Sequence, residues 1–103
     1  MASSARRHRV VVLLLEPVIG FDATIAPMLF GAATDADGEP LYDVVTCGLT
    51  ADPVLASTGY AMVPAAGADA LTTADTVVIP GTKYRPARVE GRLDDDVAAA
   101  LAS

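Results

Sequence analysis

Few residues in this chain have side chains suited to chemistry, and their settings separate them. Asp22 stands just beyond the apolar run Val10 to Leu15, at the point where an open α/β sheet gathers its ligands outside the carboxyl end of a strand. The same spacing suits an Asp that caps the following helix, and the two roles are compatible. Cys47 invites a nucleophile reading, but it falls inside a predicted strand with no base nearby in sequence, so it is expected to be a buried structural thiol. His8 belongs to a polar leader and is not a candidate base. The run Asp35-Ala36-Asp37-Gly38-Glu39 echoes a calcium loop. It lacks the further ligands and the closing Glu at the required spacing, and is read as a capped turn. No metal or cofactor is expected.

The elements that must position these residues follow from the apolar pattern. Six consecutive apolar residues, Val10 to Leu15, end at Glu16-Pro17 after strand length, so they form a strand buried on both faces, followed by a crossover helix. Phe21, Ile25, Met28, Leu29 and Ala32 fall on one helical face, which predicts the core side of that helix; Pro27 predicts a kink or a late start. Gly38 is expected to cap its carboxyl end. Leu41 to Gly48 reads as a second strand, and Pro53 to Pro64 as a small hairpin about Thr58-Gly59. Ala66 to Leu71 is at most two helical turns, and Asp75 to Thr82 is a third strand running into a Pro-Gly turn. Residues 83 to 92, with Lys83, Arg85, Arg88 and Arg92 beside Pro86 and Gly91, read as a mobile basic loop. Leu93 to Leu101 reads as a closing helix whose acidic start suits the helix dipole. The fold class is therefore α/β: a partial doubly wound, flavodoxin-like parallel sheet of order 2-1-3 with a hairpin excursion.

Composition narrows the function. With 103 residues the chain is one domain or part of one, and its 52% apolar content is globular. A net charge of -6 argues against a nucleic-acid surface, so no DNA binding by this chain alone is expected. The basic cluster Arg6-Arg7-His8-Arg9 reads as part of a solvated leader, residues 1 to 8, and not as a signal peptide. No apolar run approaches membrane-spanning length. A single cysteine excludes an internal disulfide and suits a reducing cytoplasm. Strand one is followed by Glu16-Pro17-Val18-Ile19-Gly20-Phe21-Asp22, which is neither a dinucleotide-binding glycine fingerprint nor a phosphate-binding loop.

Six short motifs in one order carry a resemblance. They are Phe21-Asp22; Phe30-Gly31-Ala32-Ala33; Asp37-Gly38-Glu39-Pro40-Leu41-Tyr42; Cys47-Gly48; Gly59; and Val78-Ile79-Pro80-Gly81-Thr82. From Arg9 onward the chain resembles the amino-terminal half of the DJ-one/PfpI superfamily, the class I glutamine amidotransferase-like fold, and within it the sensor domains of AraC-type transcriptional regulators. The resemblance implies that Asp22 is the acid beside the superfamily nucleophile, where a carboxyl can donate a hydrogen bond to a thiolate or shuttle a proton. It also implies that Gly81 and Thr82 form a turn whose backbone amides face the same pocket. A plain Pro-Gly turn is the alternative for these two residues. Met28 stands where relatives carry a Glu, so any role of that acid is lost.

The superfamily nucleophile would lie on a strand-to-helix elbow beyond Ser103. The expectation is therefore a ligand-sensing, non-catalytic half-domain of a transcriptional regulator, with Asp22, Gly81 and Thr82 as ligand-binding residues and no catalytic residue in this chain. The alternative is a truncated enzyme of the same superfamily, isocyanide-hydratase-like or protease/deglycase-like. A small-molecule ligand in the intact parent, homo-oligomers, a cytoplasmic location and no membrane partner complete the expectation.

Overall fold

A run of β-branched residues with no polar side chain is stable only where both faces are covered, and the sheet is built around that requirement. The computed structural model describes residues 7–102. In chain order the elements are β1 (His8–Leu13), α1 (Gly20–Ala32), β2 (Tyr42–Cys47), β3 (Val54–Leu55), β4 (Ala61–Met62), a 3-10 helix (Ala68–Thr73), β5 (Thr76–Val78), α2 (Arg85–Glu90) and α3 (Asp95–Ala102). The main sheet is parallel with β1 between β2 and β5, and β3 and β4 form a separate antiparallel hairpin. This is the expected α/β architecture, with β5, three residues long, as the third strand of the 2-1-3 order.

Side chains of β1 and its extension alternate between two cores. Val10, Val12 and Leu14 point to the α1 side and join Val18, Ala23, Ala26, Val54 and Ala56. Val11, Leu13 and Leu15 point to the other side, where Cys47, Leu71, Tyr84 and Val97 cover them. Hydrogen bonding at the two sheet edges is unequal. Along β2, Ala66 donates to the Thr46 carbonyl at 3.1 Å and accepts from Gly48 at 3.1 Å. Among the described residues no strand pairs with the outer side of β5, as expected from the inferred order.

Four sequence expectations are revised. First, the apolar stripe of α1 faces outward: Phe21, Met28 and Leu29 are 80%, 60% and 62% exposed, while Gly20, Ala23 and Ala26 face the sheet. Close approach of a helix to a sheet is set by the size of the residues between them, and the small-residue side of α1 lets the axis come nearer. Second, α1 starts at Gly20 and runs through Pro27, and its carboxyl cap is Ala33, not Gly38. Gly38, at φ 83°, closes a separate turn in which the Asp35 carboxylate accepts the amides of Asp37 at 2.8 Å and Glu39 at 3.0 Å. Third, the expected mobile loop contains α2. Pro86 opens it and Gly91, left-handed at φ 63°, ends it, so both residues mark helix boundaries. Fourth, His8 belongs to β1, where its Nε2 is hydrogen-bonded to Thr76 Oγ1 at 2.7 Å. The rest of the expected leader, residues 1 to 6, lies outside the described residues, and Arg7 immediately precedes the strand.

Candidate functional site

The segment Glu16 to Gly20, leaving β1, ties the carboxyl ends of the sheet together. Its centre, Val18, is buried and bridges two neighbours at once. Val18 donates its amide to the Leu55 carbonyl at 3.0 Å, and Ser57 donates to the Val18 carbonyl at 2.8 Å. On the other side Ile19 donates to the Gly81 carbonyl at 2.9 Å and Lys83 donates to the Pro17 carbonyl at 2.8 Å. The hairpin and the turn after β5 are thus held against one strand of backbone. Glu16, which carries an obvious carboxylate, is committed to this frame: its Oε2 accepts the Leu55 amide at 2.7 Å.

Asp22 lies in the first turn of α1, half-buried, where an acid is favoured by the helix dipole. The cap position belongs to Ile19, with no side-chain cap bond, so the capping alternative for Asp22 is not realised. Its carboxylate is pressed against the α-carbon of Gly81, and a Cβ there would collide with Asp22 Oδ2. This contact joins two residues separated by most of the chain, and it needs glycine at position 81 for space, not for an unusual backbone angle.

Thr82 plays an unexpected structural part. Its hydroxyl donates to the Leu15 carbonyl at 2.6 Å, lies 3.1 Å from the Pro17 carbonyl, and accepts the Tyr84 amide at 3.0 Å. The side chain is therefore used up in holding the turn. Among the described residues the amides of Gly81 and Thr82 donate to no protein acceptor. The Asp22 carboxylate thus lies beside the turn that carries the Gly81 and Thr82 amides.

Two hollows flank the frame, and neither is lined by Asp22, Gly81 or Thr82. One, an open cleft of about 640 Å³, is lined mainly by Pro17, Leu55, Ala56, Tyr60, Ala61 and Lys83. The other, about 360 Å³, lies over the ends of β1 and β2 among Leu15, Glu16, Thr50, Asp52, Tyr84 and Asp94. Tyr60 and Tyr84 were not singled out in the sequence, and Lys83 only as part of the basic loop. Tyr60 and Lys83 each follow a glycine turn, at Gly59 and Gly81, and turn-flanking polar residues beside a strand end are the signal that marks them. Tyr84 is buried, and its hydroxyl accepts the Asp94 amide at 2.9 Å. Cys47 is buried in the core away from this frame, and desolvation raises its thiol pKa, as a structural thiol requires. Among the described residues no cluster of His, Cys, Asp or Glu could hold a metal ion, and no helix is long and apolar enough to cross a membrane.

The structure is similar to the crystal structure of an AraC family transcriptional regulator from Pseudomonas putida, with a TM-score of 0.60 and 26% sequence identity. The match covers 92% of this chain and 51% of that one, so the chain spans about half the length of the regulator it resembles. No protein-family model and no curated protein sequence matches the chain.

Proposed function

We propose that this chain is a ligand-sensing, non-catalytic α/β half-domain of an AraC-type transcriptional regulator, of DJ-one/PfpI type. The likeness to the Pseudomonas putida regulator along nearly all of this chain carries the reading. In this reading Asp22, Gly81 and Thr82 are the ligand-facing residues at the carboxyl end of the sheet, outside the two hollows described above. The Asp22 carboxylate and the two backbone amides meet a small polar ligand, while the Thr82 hydroxyl holds the turn in place. Nothing in this group is poised to attack a substrate, since the chain's one thiol is buried in the core. The acidic balance places DNA contact elsewhere in the regulator.

The test is a thermal-melt screen of the chain against small carboxylic acids, amides and polyols, repeated with Asp22→Asn. The expected outcome is that a compound raising the melting temperature of the parent loses at least about tenfold in apparent affinity in the variant, as expected when a ~1.4 kcal/mol contact is removed. Consumption of the compound by the purified chain would overturn the non-catalytic reading, and a full response in Asp22→Asn would remove Asp22 from the site.

A further inference from the structure

The two hollows beside the Glu16 to Gly20 frame are lined by opposite charges. The one over the ends of β1 and β2 carries Glu16, Asp52, Asp94 and Asp96, a lining that repels an anion. The cleft beside the hairpin has a single charged lining residue, Lys83. Its volume of about 640 Å³ falls inside the ~300–1,000 Å³ range of small-molecule sites.

Three separate stretches of chain build this cleft. Pro17 comes from the segment after β1, Leu55, Tyr60 and Ala61 come from the hairpin, and Lys83 follows the turn after β5. Backbone hydrogen bonds fix the three against one another: Val18 pairs with Leu55 and Ser57 on the hairpin, and the Lys83 amide donates to the Pro17 carbonyl. Gly20 shapes one side. A Cβ there would collide with the Tyr60 hydroxyl, so glycine lets that ring lie against the start of α1 and close the apolar wall.

The polar groups on this lining are unspent. Among the described residues the Lys83 ammonium has no carboxylate partner, and the hydroxyls of Ser57 and Tyr60 make no hydrogen bond to protein. Glu16 and Thr82 stand nearby in the same frame, and their side chains are used up in holding backbone. One cation and two hydroxyls, all able to donate, beside an apolar wall suit a molecule with an anionic acceptor at one end and hydrocarbon at the other.

We propose that this cleft binds the anion of a small carboxylic acid with an apolar body, its carboxylate on the Lys83 ammonium and its body against Leu55 and the Tyr60 ring. It is a second site, independent of the Asp22 reading, since neither Asp22 nor Gly81 nor Thr82 lines it.

Titration of the 103-residue chain with hydrocinnamate at neutral pH, followed by amide NMR shifts, tests the proposal. Saturable shifts of the Leu55, Tyr60, Ala61 and Lys83 amides are expected, with a Kd of ~1 mM or tighter. The neutral analogue hydrocinnamyl alcohol should bind at least ~10-fold more weakly, as should hydrocinnamate to Lys83→Gln, because each loses a charge-assisted hydrogen bond. Lys83→Gln should leave the alcohol's affinity unchanged, a split that general damage to the cleft would not produce, and Lys83→Arg should retain the acid. Tyr60→Ala should weaken acid and alcohol alike. The comparison of acid with alcohol on the parent needs no variant, so it carries the test if Lys83→Gln does not fold in a thermal melt. The shift map separates this site from the other: failure of the Asp22 reading leaves every one of these outcomes in place. No saturable shift by ~10 mM, equal affinity for acid and alcohol, full affinity in Lys83→Gln, or shifts centred on Asp22 with none in the hairpin would each overturn it.

Discussion

The two faces of the sheet are covered by opposite means. On one, a helix of 13 residues lies against β1 and β2 and presents Gly20, Ala23 and Ala26 inward, with Val54 and Ala56 beside it. On the other, irregular segments and short helices cover the sheet with Leu71, Tyr84 and Val97 among their buried residues. Regular backbone can approach a strand closely only if its side chains are small. Irregular backbone cannot lie flush, so large side chains must take up the gap. The same β1, with similar residues pointing each way, is therefore sensitive to enlargement of the cover on one face and to truncation on the other.

That contrast can be broken by mutation. The largest expected effects are for Leu71→Ala, which opens a cavity and should cost about 2–4 kcal/mol, and Ala23→Leu, which wedges α1 off the sheet and should cost about 1–3 kcal/mol. Urea melts of both variants check this. If Ala23→Leu were neutral, the helix would not be held by its small residues, and the contrast between the faces would fail.

Tyr84→Phe sharpens the same comparison on the filled face. The ring remains while the hydroxyl that accepts the Asp94 amide is removed. The expected loss is about 1 kcal/mol, appropriate to one hydrogen bond, with packing unchanged. A loss near that of Leu71→Ala would mean that Asp94 and the start of α3 depend on this bond for their placement.

The smallest effect concerns Cys47 on the filled face. Burial pushes its thiol above the ordinary value of 9.0, so the folded chain holds the proton more tightly than the unfolded chain does. The associated stability is fully present below the unfolded value and is lost as pH rises from there through the folded one. Urea midpoints of the parent should therefore fall above pH 9.0 relative to Cys47→Ala, with a pH-independent gap between the two below it. A parent curve parallel to that of Cys47→Ala through the alkaline range would show that the thiol is less buried than its place in the core indicates.

Much of the frame was legible in the residues. The uninterrupted run Val10 to Leu15 demands cover on both faces, and the turn residues around Thr58-Gly59 and Pro80-Gly81 punctuate the hairpin and the last strand. Pro86 and Gly91 were visible too, but the same two residues mark either a loop or the two ends of a short helix. Local chemistry does not separate these when the helix has six residues. Asp22 was singled out by its place after a strand, whereas the commitment of Glu16 to the Leu55 amide had no sequence signal, because its partner lies in a hairpin far along the chain.

By itself the sequence determined the parallel sheet with β1 at its centre and the buried thiol, because each depends on a residue's own type or on its near neighbours. Only the tertiary structure decided which side of α1 is inside. Periodicity identifies a stripe of large apolar residues but carries no information about the distance between helix and sheet. The contact of Asp22 with Gly81 and the turning of the Thr82 hydroxyl into the frame were likewise decided there. Each depends on two segments far apart in the chain arriving at the same place.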